Sequence, residues 1–194
     1  MNNKKLVLAS ASPRRQELLE MLGIDLIIEP SGIDESCRPG ESAREHALRL
    51  SLEKARDVAV KHPGLWVLGA DTIVVVDGEV LGKPDGKEDA RDMLLKLSGR
   101  EHVVITGFAL VCRRAAVEYS EAVESRVTFN RLDEDELQWY LGTGEPYDKA
   151  GAYAVQGKAA AFIKEVCGSH TNVIGLPLSE VVEALRRTGA MKLC

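Results

Sequence analysis

Short apolar runs alternate with amphipathic stretches along most of the chain, the signature of an α/β fold. Residues 5–9 read as a short buried strand, and 13–22 as a helix that stops at Gly23. Residues 26–28 are another short apolar run, and 42–60 a long amphipathic helix. WVLGADTIVVV, residues 66–76, is almost continuously apolar, as expected of a central strand buried on both faces. Asp77-Gly78 is a hairpin signal, after which EVL returns antiparallel. Further on come a helix over 87–97 closed by Gly99, strands over 102–112 and 117–129, a short helix over 134–141, a strand over 159–166 and a final helix over 177–187. Hairpins among the helices predict a mixed sheet flanked by helices.

Against this regular background a few positions break local rules, and such positions are often functional. In ASASPRRQELL, Ser12 suits a helix N-cap and Pro13 a first helical residue. Arg14 and Arg15 follow, where the positive end of the helix dipole disfavours cations. Two guanidinium groups beside free backbone N–H groups make an anion site, to which Ser10 and Ser12 can add hydroxyls. The competing reading is a capped helix whose arginines point into water.

Lys54 is the second break. It shares a helical stripe with Ala43, Ala47, Leu50 and Val58, so it must snorkel or meet a buried anion. Asp71, in the middle of the 66–76 strand, is the third. Its carboxylate needs a cation, a metal or a place where the strand reaches the surface. A purely structural salt bridge, with Lys54 for example, is the alternative. Thr72 faces the other side of a regular strand.

Weaker signals come from loops. Lys83 precedes Pro84 after the hairpin, and Asp34 and Glu35 lie in a polar segment able to offer a metal-binding oxygen. YDKAGAYAVQG (147–157) and GSHTNVIGLP (168–177) read as ligand-closing loops, and His170 as a loop histidine without a chemical partner.

Composition narrows the classes. The 194 residues are 45% hydrophobic and 28% charged, enough for a substantial core. The net charge of −5 argues against a protein that grips a nucleic-acid backbone, but not against a small anion held by a local cation cluster. Cys37, Cys112, Cys167 and Cys194 are far apart and form no CxxC pair, which favours reduced thiols in a cytoplasmic protein. The N-terminus lacks the apolar length of a signal peptide, and no run is long enough to span a bilayer.

Arg14, Arg15, Lys54 and Lys83 together supply the cations for a triphosphate, which carries about four negative charges near neutral pH. Asp71 and Glu35 supply carboxylates for a divalent ion or for activating water. That inventory fits metal-assisted phosphoanhydride hydrolysis. GxxxxGK[ST], GxSxG, HExxH and an early GxGxxG are all absent from the chain.

Six blocks then acquire a joint meaning. SASPRRQELL, EKA around Lys54, GADTIV at 69–74, LGKP at 81–84, YDKAGAY at 147–153 and GSHTNVIGLPL at 168–178 resemble the Maf family in order and spacing. The resemblance runs over almost the whole of residues 1–194 as one domain. It implies a mixed α/β fold of two lobes with a cleft between them, like the inosine triphosphatase fold. It also implies a nucleoside triphosphate pyrophosphatase that uses Mg²⁺ or Mn²⁺, is often a homodimer and serves nucleotide-pool sanitation. Asp71 takes the place of the family's proton acceptor. Arg14, Arg15, Lys54 and Lys83 take those of its phosphate-binding cations, and Glu35, with Asp34 adjacent, that of an active-site acid. An arginine in SPRR, Thr72 and Gln156 match the branch that prefers dTTP and UTP, with modified uridine triphosphates as further candidates. Another branch carries a bulky aromatic and an acidic residue at the last two of those positions. Ala154-Val155 stand where glycine and isoleucine are common. The alternative function is a nucleotide-binding regulator of septum formation, which needs no general base.

Overall fold

The structure is a computed structural model that describes residues 5–191, so Cys194 lies outside it. The elements are β1 (Leu6–Leu8), α1 (Pro13–Glu20), β2 (Leu26–Ile28), α2 (Ala43–Ala59), β3 (Trp66–Val76), β4 (Glu79–Leu81), α3 (Lys87–Leu97), β5 (Glu101–Cys112), β6 (Val117–Phe129), α4 (Glu134–Leu141), β7 (Ile163–Cys167), α5 (His170–Ile174) and α6 (Leu178–Arg187). Short 3₁₀ turns occupy Pro146–Asp148, Ala150–Ala152 and Lys158–Phe162. The sheet is mixed, as the pattern predicts. Its strands run β2-β1-β3-β5-β6-β7, with β4 paired to β3. β1 is parallel to both β2 and β3, whereas β4 on β3 and β7 on β6 are antiparallel. At the β3–β4 turn both Asp77 (φ 51°) and Gly78 (φ 80°) are left-handed, the geometry that gives Asp-Gly its hairpin preference.

Two expectations need correction. Residues 158–162, KAAAF, form a 3₁₀ turn, and strand pairing begins only at Ile163. An apolar run of this length cannot by itself distinguish a strand from a tight helical turn. Within 168–177 the chain forms a short helix, with His170 as its first residue and exposed. Ser169 explains it, because its hydroxyl accepts from the Asn172 N–H (3.2 Å) and its carbonyl from the Val173 N–H (3.3 Å). Asn172 is fully buried and donates to the Val104 carbonyl (3.1 Å) and the Ser125 hydroxyl (3.0 Å), so the asparagine of this block ties α5 to β5 and β6.

Contacts divide the chain into two compact units. The first holds the chain up to Asp71, Thr106–Val123 and the segment from Gly175 onward. The second holds Thr72–Ile105 and Glu124–Ile174.

In the first unit α2 is the organising element. Ser42 and Glu45 cap it reciprocally, each side chain accepting from the other residue's backbone N–H. Its Ala55, Val58 and Ala59 pack with Val7 and Ala9 of the β1 region, Val67 of β3 and Ala109 and Val111 of β5. Two glycines let the helix backbone come this close. A Cβ on Gly69 would lie 2.2 Å from the Ser51 carbonyl oxygen, and one on Gly107 2.3 Å from that of Ala47.

The second unit has an aromatic centre. Phe129 meets the rings of both His102 and Tyr153 edge-on. His102 Nε2 is 2.7 Å from the Tyr153 hydroxyl, and Nδ1 is buried without a hydrogen-bond partner. Burial pushes the His102 imidazole down to about 4.

Two outcomes follow from this packing. Gly107→Ala places a methyl against helix backbone that cannot rotate aside, so chemical denaturation should show a loss of about 3 kcal/mol. Gly32→Ala, which meets open space, should show almost none. His102 sets an acid limit. Its pKa is lower folded than unfolded, so below about pH 6.5 the unfolded chain binds a proton that the folded chain refuses. The stability it contributes is complete above that pH and lost as pH falls toward about 4, with a span of about 3 kcal/mol. Urea unfolding at pH 7 and pH 4.5 should show a smaller acid penalty for His102→Gln than for the parent chain.

Candidate active site

Lys54 resolves two of the sequence's broken rules at once. Its ammonium does not snorkel. It lies 2.8 Å from Asp71 Oδ1 and 2.9 Å from Glu35 Oε1, with Lys54 and Asp71 both buried and Glu35 exposed. α2 supplies Lys54, β3 supplies Asp71, and the loop after β2 supplies Glu35. The close approach permitted by Gly69 brings helix and strand into range, two residues before Asp71. The structure also separates the adjacent acids. Asp34 turns back on its own loop, accepting from the Ser36 N–H and hydroxyl (both 2.9 Å), and these two bonds hold its carboxyl below the usual carboxylate range. Glu35 is the acid that reaches Lys54.

Arg49, five residues before Lys54 on α2, anchors that loop. Its guanidinium takes both oxygens of Glu41, at 2.5 and 2.8 Å, and donates to the Ser36 carbonyl (3.0 Å), one residue beyond Glu35. Paired guanidinium donors keep the Glu41 carboxyl far below its ordinary range. Nothing in the local pattern around Arg49 singles it out, since an arginine on the polar side of an amphipathic helix is unremarkable in a sequence.

At the start of α1 the first turn holds no acidic residue, and Arg14 and Arg15 are both half-buried. Arg15 is oriented from two sides. Nη1 donates to Ser10 Oγ (3.0 Å), and Nε to the Gly175 carbonyl (2.8 Å). Ser10 Oγ also accepts from the Ser12 N–H (3.2 Å), whereas Ser12, the N-cap by position, makes no side-chain cap. Burial pulls the Arg15 pKa down, the Asp71 carboxylate raises it, Arg14 lowers it and Glu35 raises it. The four groups therefore share one electrostatic environment. Gly175 sits at φ 129°, a conformation that side chains rarely adopt. Its backbone carbonyl is a contributor that side-chain chemistry cannot reveal in a sequence.

Thr72, Lys83 and Gln156 belong to the second unit. Thr72 follows Asp71 in β3, is half-buried, and by strand alternation points to the opposite face. Lys83 is exposed in the loop between β4 and α3, as expected. Gln156 is exposed in the tight turn closed by Gly157 N–H to the Ala154 carbonyl (3.1 Å).

Among the described residues, no group of three or more His, Cys, Asp and Glu side chains gathers to hold a metal. Asp71 and Glu35 meet on one ammonium. Mg²⁺ needs only one or two carboxylates when phosphate oxygens and water complete its shell. The pair fits an ion that arrives with a triphosphate. It does not fit an all-protein cage. No helix among the described residues is long and apolar enough to cross a membrane.

Residues 5–188 match the family described as Maf-like protein. The dTTP/UTP pyrophosphatase of Syntrophus aciditrophicus (strain SB) is 54% identical over 191 residues, covering 98% of this chain and 93% of that protein. The dTTP/UTP pyrophosphatase of Geobacter sp. (strain M21) is 51% identical, covering 98% and 99%. Among solved structures, a HAM1 protein from Coxiella burnetii aligns with a TM-score of 0.54 at 18% identity over 95% of this chain and 99% of that one. The Ham1 protein of Staphylococcus aureus gives 0.51 at 14% identity over the same shares. These two share the fold. With a family match across nearly all of its length and relatives at half identity, the chain belongs to the Maf family.

Proposed function

We propose that this protein hydrolyses nucleoside triphosphates, dTTP and UTP foremost, to the monophosphate and pyrophosphate. The buried Lys54 ammonium shared by Asp71 and Glu35 carries the reading. Relatives at about half identity that are named dTTP/UTP pyrophosphatases support the substrate class.

Each residue then has a chemical task. Lys54 engages Asp71 Oδ1 and holds the carboxylate in one orientation. The proposal gives Oδ2 to the attacking water, whose proton Asp71 accepts as the water's oxygen bonds to the α phosphorus. The α–β bridging oxygen leaves with pyrophosphate. An ammonium has three donors. Two face Asp71 and Glu35, and the third is assigned to a phosphate oxygen. Arg15, held by Ser10 and Gly175, presents a planar fork to the polyphosphate, with Arg14 beside it. Lys83 adds a flexible point charge. A divalent ion, Mg²⁺ or Mn²⁺, would be held by Asp71 and Glu35 and would supply charge neutralisation and substrate orientation.

Base preference is assigned to Thr72 and Gln156. Uracil and thymine present O4 and O2 acceptors and an N3–H donor, and a glutamine amide offers both a donor and an acceptor. Cytosine reverses the pattern at N3 and C4. A mismatch there costs about 1–3 kcal/mol, or roughly ten- to a hundred-fold in rate.

Asp71→Asn should reduce turnover by about 10²–10⁴-fold while nucleotide still binds. The amide keeps the size of the side chain and loses its basicity, and removing a negative charge near a polyanion favours binding. Pyrophosphate release, calorimetric titration with a non-hydrolysable dTTP analogue and a thermal melt read the three quantities separately. A folded Asp71→Asn protein with near-normal turnover would end the catalytic role. A large drop in melting temperature with activity preserved per folded molecule would show that the pair serves only stability.

A further inference from the structure

The turn that carries Gln156 does not hold itself. Its backbone is closed by the hydrogen bond from Gly157 N–H to the Ala154 carbonyl, and the Ala154 backbone also meets the Tyr140 hydroxyl. The 3₁₀ turn Lys158–Phe162 begins directly after it, and no residue of its own caps it. The cap comes from outside. The half-buried Glu145 carboxylate accepts from the Lys158 N–H at Oε2 (2.9 Å) and from the Ala159 N–H at Oε1 (3.4 Å). Oε1 also accepts the Tyr140 hydroxyl (3.1 Å), which places α4 behind the carboxylate. Glu145 itself is fixed at its backbone. Its N–H donates to Thr143 Oγ1 (3.2 Å), and its carbonyl accepts from Lys149 Nζ (2.7 Å). Lys149 belongs to the YDKAGAY block, so that block and the glutamine after it are joined through Glu145.

Gly157 shows how closely the acid is seated. A Cβ there would fall 2.1 Å from Glu145 Oε1 and 2.7 Å from Oε2. Gly157 itself has φ −103°, which any residue adopts. A methyl at this position would therefore displace the carboxylate, the far end of a flexible side chain, rather than strain the backbone.

We infer that Glu145 is a positioning residue for nucleobase recognition, holding the turn that sets the Gln156 amide. The inference rests on the assignment of Gln156 to the base. A carboxylate can accept from two backbone N–H groups and a hydroxyl together. An amide has a single acceptor oxygen, and alanine has none. Selectivity should therefore fall in the order Glu, Gln, Ala at this position.

The test is kcat and KM for UTP and CTP in the parent enzyme, Gln156→Ala, Glu145→Gln, Glu145→Ala and the double variant Gln156→Ala/Glu145→Ala. Glu145→Ala should lower the UTP:CTP ratio of kcat/KM by roughly ten-fold, mainly through a higher KM for UTP. Glu145→Gln should fall between it and the parent. The double variant should lose no more selectivity than Gln156→Ala alone, because the two residues act through one amide. CTP turnover serves as the internal control. A purely structural role lowers both substrates together and leaves the ratio unmoved, and that result overturns the inference while Gln156 keeps its assignment. An unmoved ratio in Gln156→Ala overturns that assignment and the inference with it. If the Glu145 variants do not fold, Gly157→Ala decides. Its methyl drives the carboxylate out of place with glutamate still present, and it should lower the ratio as Glu145→Ala does. An unchanged ratio there counts against the inference.

Discussion

A lysine ammonium buried between two acids is the constraint around which the first unit is built. A charge removed from water is tolerated only when it is paired and hydrogen-bonded, and breaking such a pair costs about 3–5 kcal/mol. Lys54 and Asp71 meet that condition at 2.8 Å because α2 lies almost backbone-to-backbone on the sheet, an approach that Gly69 and Gly107 make room for. The same helix fixes the third partner. Arg49 clamps Glu41 and the Ser36 carbonyl, so the loop bearing Glu35 is pinned on one side of Lys54 while β3 holds Asp71 on the other. A well-packed apolar pair would serve stability as well or better. The proposed reaction gives the ion pair a use that an apolar pair could not serve, a carboxylate base beside bound phosphate.

The same economy of polar groups recurs at the other site residues. Arg15 spends donors on Ser10 and on the Gly175 carbonyl, and so enters an encounter with an anion already aimed. Gln156 rides on a turn whose far side is capped by Glu145. In both cases a group proposed to touch the nucleotide is oriented by its protein neighbours before the ligand arrives, which is how a binding site limits the entropy lost on binding.

Most of the fold was legible because local physics and tertiary packing agree. The 66–76 strand, the Asp77-Gly78 hairpin and α3 lie where periodicity and turn chemistry place them. Where they disagree, the sequence misleads. Residues 159–162 read as the start of a strand, yet the chain turns there under the Glu145 cap, a residue thirteen positions away from the first N–H it binds. The short helix at His170 is set by a Ser169 cap hidden inside a block that otherwise reads as loop. For the site, misplaced charges were the informative signal. Lys54 on an apolar stripe and Asp71 in an apolar strand each mark an unsatisfied requirement, and the structure shows that they satisfy one another. What no local pattern could show are the groups whose chemistry is ordinary and whose position is not: the Gly175 carbonyl, Arg49 and Glu145.

In the proposed reaction this carboxylate cluster directs water to the α phosphorus of a nucleoside triphosphate. A single turnover of dTTP in H₂¹⁸O, followed by mass spectrometry of both products, tests it most directly. Attack at the α phosphorus leaves one ¹⁸O atom in the nucleoside monophosphate and none in the pyrophosphate. Label in the pyrophosphate, or release of the diphosphate with labelled orthophosphate, would contradict it.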